Sequence, residues 1–397
     1  MNQYGPWATP IGACGNPQLS AFWRQRLTKL VPTSQSSPTL SRRSLLCLGA
    51  AGVATVLLPT LRSTTAAADD EKPAEQGGKP SSGRLFFQGA VKRKGNGAVQ
   101  GGIFAVDPET GRCETIIEHG GGFRISPDGK SLAFEKGASL SEIWTHDLTT
   151  HATARVLDDG RDFFLPPDGG QAGKYELCSG PICWSPDNRQ VVACLHRWSN
   201  DHKKSSQCVA RRANRDGSGL TKLPVPETDE VDDWSPDGKW IVTTSGRDAT
   251  SDVGGVGYQL YRMRPDGTEQ LRLTKEGRNC HPRFSPDGRR IVYHCDHFTS
   301  KRGDVELHVM DVDGTNDHVV LRNEELANFE DACWSPDGRH LAVVWYTEIL
   351  GKDGVKSRWL GEQSKHRIEI MDADGTNRRV VKLSDAIPHY ICNLGWR

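Results

Sequence analysis

The side chains whose types and spacing could do chemistry in this chain are carboxylates and histidines. Glu230, Asp232 and Asp233 stand together, Glu330 and Asp331 are adjacent, and His281, His389 and Asn393 hold comparable places ahead of short apolar runs. His294 and His297 follow His281 within the same segment. A hard cation would be held by the carboxylates, and a transition metal by His281, His294, His297 and His389. Clustered titratable groups mark a site only if the fold brings them together. Two other motifs are turn chemistry. Asp311-x-Asp313-Gly314-x-x-Asp317 offers calcium-loop oxygens without the spacing to a closing bidentate glutamate. The serines of Ser-Pro-Asp-Gly recur with no histidine at a fixed offset, so they are not nucleophile candidates.

The elements that must position these residues repeat. A hydrophobic residue followed by Ser-Pro-Asp-Gly, or by Ser-Pro-Asp-Asn in one copy, begins at Ser126, Ser185, Ser235, Ser285 and Ser335. A fixed period of about this length is the mark of a repeat architecture. In the fourth copy Pro282-Arg283-Phe284 reads as a first strand and Ile291-Val292-Tyr293-His294 as a second. Glu306-Leu307-His308-Val309-Met310 is the third, and His318-Val319-Val320-Leu321 follows the turn Asp311-Val312-Asp313-Gly314-Thr315-Asn316 as the fourth. Pro presets the first turn angle, Asp bonds its own backbone and Gly accepts positive φ. Four antiparallel strands per repeat make the blade of a propeller.

Residues 84–91, 102–107 and 113–118 supply only three strands ahead of the first repeat. The chain's last segment, Tyr390-Ile391-Cys392-Asn393-Leu394-Gly395-Trp396, has the first-strand pattern. The expected fold is therefore all-β: a six-bladed β-propeller of four-stranded antiparallel blades, closed by the C-terminal strand joining the N-terminal blade. Closure of this kind removes open sheet edges. The first and third connections of every blade are short turns on one face of the ring. The second connections and the crossings fall on the other, with irregular segments at 158–180, 196–207, 246–257, 295–303 and 347–366. Long loops on a rigid scaffold are the usual home of binding residues, so the working face is expected to lie away from the repeated turn. The acids and histidines named above begin inner strands and would ring the channel mouth on that face. They either hold a divalent metal or polar ligand, or are polar because a wet channel tolerates it.

The repeat resembles the WD40-like propeller repeat of TolB-type periplasmic proteins. The residues that carry this are Asn279-x-x-Pro282-x-Phe284-Ser285-Pro286-Asp287-Gly288, with Met310-Asp311-x-Asp313-Gly314-Thr315-Asn316 and its copy Met371-Asp372-x-Asp374-Gly375-Thr376-Asn377. The resemblance covers the propeller only, without the α/β domain that precedes it in TolB. The expected function is that of a non-catalytic binding or scaffold protein, acting through its loop-rich face on an envelope protein, peptide or glycan, with no bound cofactor. The alternative is a propeller lyase or hydrolase with a metal-assisted site at the channel mouth, as the similar repeats of oligogalacturonate lyase illustrate. No Gly-x-Ser-x-Gly elbow of the kind found in hydrolases attached to such propellers occurs.

The 397 residues carry equal numbers of basic and acidic groups, but unevenly. Residues 1–68 hold six of the 50 basic residues and none of the 50 acidic ones, which leaves the remainder mildly acidic and argues against nucleic-acid binding through a basic surface. Within 1–68, Arg42-Arg43 precedes an apolar run and Ala66-Ala67-Ala68, the layout of an export signal. The paired arginines resemble the twin-arginine signal. The apolar run is too short and too rich in Gly and Pro to serve as a spanning helix. The domains expected are 1–68 as export signal with an N-terminal extension, 69–83 as a flexible linker and 84–397 as the propeller, a periplasmic or extracellular monomer with no stable membrane span after signal removal. Nine of the 11 cysteines follow the leader without a C-x-x-C, and Cys183 and Cys194 flank one turn where they could bridge adjacent strands, a pairing the sequence leaves open. Replacing Arg42-Arg43 by Lys-Lys is expected to stop export. Continued appearance of the variant in the periplasmic fraction would contradict the twin-arginine route.

Overall fold

Short runs of β-branched, leucine and aromatic residues punctuated by Pro-Asp-Gly turns favour strands, and every regular element among the described residues is a strand. The computed structural model describes residues 83–93, 99–136, 142–157, 175–199, 207–248, 257–296, 305–323, 327–347, 349–350, 356–357, 366–384 and 386–397. The expected leader and most of the linker lie outside these residues. No helix among them is long and apolar enough to cross a membrane.

The first sheet contains β1 (Leu85–Arg93), β2 (Val99–Val106) and β3 (Cys113–Glu118). β4 (Phe123–Ile125), β5 (Ser131–Lys136), β6 (Glu142–Asp147) and β7 (Thr153–Leu157) form the second blade. β8 (Tyr175–Trp184), β9 (Gln190–Ser199), β10 (Gln207–Asn214) and β11 (Thr221–Lys222) form the third. The fourth is β12 (Asp229–Trp234), β13 (Ile241–Ser245), β14 (Gln259–Met263) and β15 (Leu271–Arg272). The fifth is β16 (Arg278–Phe284), β17 (Arg290–Asp296), β18 (Val305–Asp311) and β19 (His318–Arg322). The sixth begins with β20 (Ala327–Trp334) and β21 (His340–Thr347), then a separate hairpin of β22 (Ile349–Leu350) and β23 (Lys356–Ser357) intervenes. β24 (His366–Asp372) and β25 (Arg379–Val381) complete that blade. Finally β26 (Ala386–Trp396) pairs antiparallel with β1, from Leu85 opposite Trp396 to Arg93 opposite Ala386, so the first sheet runs β26-β1-β2-β3. The protein is a six-bladed β-propeller closed by its C-terminal strand.

The repeated turn is held by its serine as much as by Pro, Asp and Gly. Ser285 Oγ bonds Asp287 Oδ1 and accepts the Arg290 amide at 2.9 Å, while the Gly288 amide closes the turn on Ser285 O at 2.8 Å. Ser126, Ser185, Ser235 and Ser335 make the same contacts. The fourth residue has positive φ in every copy, and Asn188 takes that place in the variant turn.

The core divides into six clusters, each shared by two neighbouring blades. The cluster that spans the closure brings Leu85, Phe87, Leu394 and Trp396 of the first blade against Cys333, Ala342, Val344 and Ile368 of the sixth. Two of the three tryptophans before the repeated serine also bond across blades: Trp184 Nε1 donates to Arg124 O at 3.1 Å, and Trp334 Nε1 to Arg283 O at 3.2 Å.

Three expectations change. Residues 175–180 are strand rather than crossing loop, because β8 keeps its pairing with β9 out to Tyr175 opposite Ser199. The segment 347–366 contains the β22–β23 hairpin and is not wholly irregular. The Cys183–Cys194 bridge is not formed: Cys183 lies opposite Val192, Cys194 falls opposite a bulge, and neither is in a disulfide.

Leu394 sits on the closing strand at 2% exposure. Leu394→Ala is expected to lower stability by about 2–5 kcal/mol, whereas Val380→Ala, at an exposed position, should stay within about 0.5 kcal/mol. Urea midpoints of the two variants check this, and equal midpoints would count against the closing strand as a point of dependence.

Candidate functional site

The inner strands do not run evenly to the channel. The pairing of the inner strand with its neighbour slips at Asp232, at His281-Pro282, at Glu330-Asp331, at Gly180-Pro181 and at Asn393. A bulge turns an extra side chain out of the alternation. His281 and Asn393 take positive φ at these bulges, 54° and 44°. Of the sequence-predicted candidates, Asp232, His281, Glu330, Asp331 and Asn393 therefore stand at bulges, a backbone irregularity that composition does not report.

Asp232, His281, Asp331 and Asn393 come together around one narrow cavity, with Arg124 and Arg283 as its cationic members. The cavity measures about 30 Å³, room for little more than a water molecule. Arg283 Nη2 lies 3.5 Å from Asp331 Oδ1, both side chains buried. Arg124 Nη1 donates to Phe123 O at 2.9 Å. Arg124 Nε, Arg283 Nη1 and His281 Nδ1 have no hydrogen-bond partner in the described structure.

Most of the acids are already engaged by backbone. Asp233 accepts the amides of Trp234 at 3.0 Å and of Phe284, on the next blade, at 2.9 Å. Asp331 repeats this arrangement, accepting Ala332 N at 3.0 Å and Leu394 N of the closing strand at 2.8 Å. In both cases one carboxylate ties two neighbouring inner strands that share no ladder. Asp232 accepts the Thr244 amide of its own blade at 2.8 Å. Asn393 Nδ2 donates to Gln88 Oε1 at 2.9 Å. Glu230 turns away toward His196, whose Nε2 lies 3.2 Å from Glu230 Oε1, and Glu330 is buried beside Asp331.

Burial sets the protonation of this region. It pushes the Asp232 carboxyl up to about 7 against the pull of Thr244 and Arg124, and that of Asp233 up to about 6. Burial, then repulsion from Asp232, raises Glu230 well above the usual carboxylate range. The same burial drives His196 down to about 4 and His294 to about 3, and lowers His281. Each group is moved toward its neutral form by burial.

Of the four histidines expected around a metal, His281 and His294 meet edge to face with ring centres 5.5 Å apart, and His294 also packs on Phe329 at 5.2 Å. His297 and the His389 side chain lie outside the described residues, although the His389 backbone falls at a second slip between β1 and β26. Among the described residues no group of three or more His, Cys, Asp or Glu side chains has metal-holding geometry. Sequence reasoning missed Arg124, Arg283 and His196. Arg124, Asp233 and Arg283 all stand two residues before the repeat position of Ser126, Ser235 and Ser285. Aligning the repeats on that serine would have exposed them as a set.

Comparison with known proteins follows the fold. No family model matches the chain. TolB from Acinetobacter baumannii superposes with a TM-score of 0.55 at 15% identity, over 80% of this chain and 67% of that one. The propeller is TolB-like. A candidate TolB from Agrobacterium tumefaciens has a TM-score of 0.49 at 17% identity, over 81% of this chain and 99% of its own. An uncharacterised protein of Agrobacterium fabrum is 28% identical over 257 residues, 56% of this chain and 84% of that relative. At such identities the TolB-like likeness describes architecture, and function rests on the residues.

The raised Asp232 value has a signed consequence. A carboxyl whose folded value exceeds its unfolded one holds a proton that the unfolded chain has released. Its contribution is full below about pH 4 and is lost as pH rises through about 7. Asp232→Asn keeps an acceptor for the Thr244 amide and removes this loss. Its stability relative to the parent is expected to improve steadily from pH 5 to pH 8 in urea titrations, and a pH-independent difference would contradict burial as the cause.

Proposed function

We propose that this chain is an exported, non-catalytic binding or scaffold propeller that grips an envelope protein, peptide or glycan with its loop-rich face. The observation that carries this reading is the use of the channel acids: Asp233 and Asp331 tie adjacent inner strands through backbone amides. Around the same cavity Arg283 sits against Asp331. A space of about 30 Å³ does not admit a sugar or a peptide, which belong in pockets roughly ten times larger. Binding then falls to the rim. There the connection between β21 and β24 carries the extra β22–β23 hairpin, the described element outside the six blades. The TolB-like fold and the export-signal layout around Arg42-Arg43 support a periplasmic location reached by the twin-arginine route, with the propeller acting as a monomer.

The enzymatic alternative, a metal-assisted lyase or hydrolase, draws on one contact, the edge-to-face approach of His281 to His294 with His281 Nδ1 unpartnered. It requires His297 or His389 to complete an ion site, with Asp232 or Asp331 as further donors.

The test is a pull-down from envelope extract using the propeller, with and without residues 348–365. Replacement of that segment by a short Gly-Ser linker is expected to remove at least one specific partner while the unfolding midpoint changes by less than about 1 kcal/mol equivalent. An unchanged partner set would sink the rim assignment. Saturable manganese or zinc binding abolished by His281→Ala would favour the enzymatic reading instead.

A further inference from the structure

The second blade breaks the pattern of the repeat at two places on the face of the short turns. The third-strand residue immediately before the turn is Val106 in the first blade and Ala213, Met263, Met310 and Met371 in the third to sixth, none more than 1% exposed. In the second blade this core position holds His146. It is 6% exposed, and neither ring nitrogen has a hydrogen-bond partner among the described residues. An apolar side chain would fill the place without leaving two buried polar atoms unpaired.

The second break is five residues on. The turn 147–151 has the same backbone as the turn 107–111 of the first blade. The His151 amide bonds Asp147 O at 2.9 Å, as the Gly111 amide bonds Asp107 O at 2.8 Å. Each aspartate also accepts the two amides inside its turn. Gly111 closes its turn at φ 70°, and His151 closes the other at φ 58°. That left-handed conformation suits glycine and is strained for a residue with a β-carbon. A core position filled by an apolar residue in the other blades and a turn position filled by glycine in the first blade thus both hold histidine, and the two ring centres lie 5.7 Å apart, inclined by 45°.

Two imidazoles sharing one ion at the usual nitrogen–metal distance of about 2.0–2.1 Å place their ring centres roughly 5–6 Å apart. We propose that His146 and His151 bind a divalent transition-metal ion of the borderline class, such as copper or zinc, with water filling the remaining coordination positions. Imidazole is the ligand this class prefers over carboxylate. His151 is exposed and gives an ion its approach from solvent. Departures from a repeat's local rules that converge in space are where function is expected to sit. The site lies on the second blade's β6–β7 turn and owes nothing to the channel residues or to the loop-rich face.

The experiment titrates the chelator-treated propeller with copper(II) by calorimetry and electron paramagnetic resonance, alongside His146→Met and His151→Gly. These variants install the residues that stand at the same places in the fifth and first blades, so both are expected to fold and to melt no lower than the parent without metal. The parent is expected to bind one equivalent with the hyperfine pattern of two imidazole nitrogens. Each variant is expected to bind that equivalent at least tenfold more weakly, and zinc should raise the parent's melting temperature and neither variant's. Equal copper binding by parent and variants, or a parent with no micromolar equivalent, would overturn the proposal.

Discussion

One pairing joins the two ends of the propeller. β1 and β26 meet along nine residues of β1 although nearly the whole propeller lies between them in sequence. Five blades are local hairpin products, but the sheet β26-β1-β2-β3 exists only when the ring has closed. The entropy of bringing distant segments together is large in absolute terms yet grows slowly with length. It is offset by the ladder and by the shared cluster in which Trp396, Leu394 and Leu85 pack on the sixth blade. Without that joint, two sheet edges would stay open to other chains.

The channel chemistry follows from the same geometry. Inner strands of neighbouring blades converge on the axis without forming ladders to one another, so their backbone groups need other partners. Asp233 and Asp331 supply them with the same device at two places, each taking an amide from its own strand and one from the next. Tryptophan indoles do the converse, donating to the carbonyls of Arg124 and Arg283 on the preceding blade. Buried polar groups are tolerable when they are paired in this way. Asp233 and Asp331 are thus parts of the ring's internal fastening. Burial also pulls Asp232, Asp233 and Glu230 toward the uncharged form.

The short-turn face proved less uniform than its motif implies. Ser-Pro-Asp-Gly is a turn, and the serine hydroxyl adds a reason for its recurrence by capping the amide five residues on. Yet the same regularity hides His146 and His151, which look unremarkable singly. They become conspicuous only when placed beside Met310 and Gly111 at the same places in other blades. That signal was present in the sequence. What was missing was the register of the third strands, which is set by pairing rather than by any local motif.

By itself the sequence determined the blade count, the closing strand, the turns and the two unlike faces. All of these depend on interactions within some fifty residues, or on a pattern repeated at that interval. Period-two apolar runs and Pro-Asp-Gly turns act through local sterics and hydrogen bonding, and such effects are legible one segment at a time. Only the tertiary structure decided which polar residues meet. The bulges at Asp232, His281, Glu330-Asp331 and Asn393 and the Arg283–Asp331 contact arise from strands packed at fixed angles around an axis. Their geometry depends on how whole blades abut, and no single segment carries it.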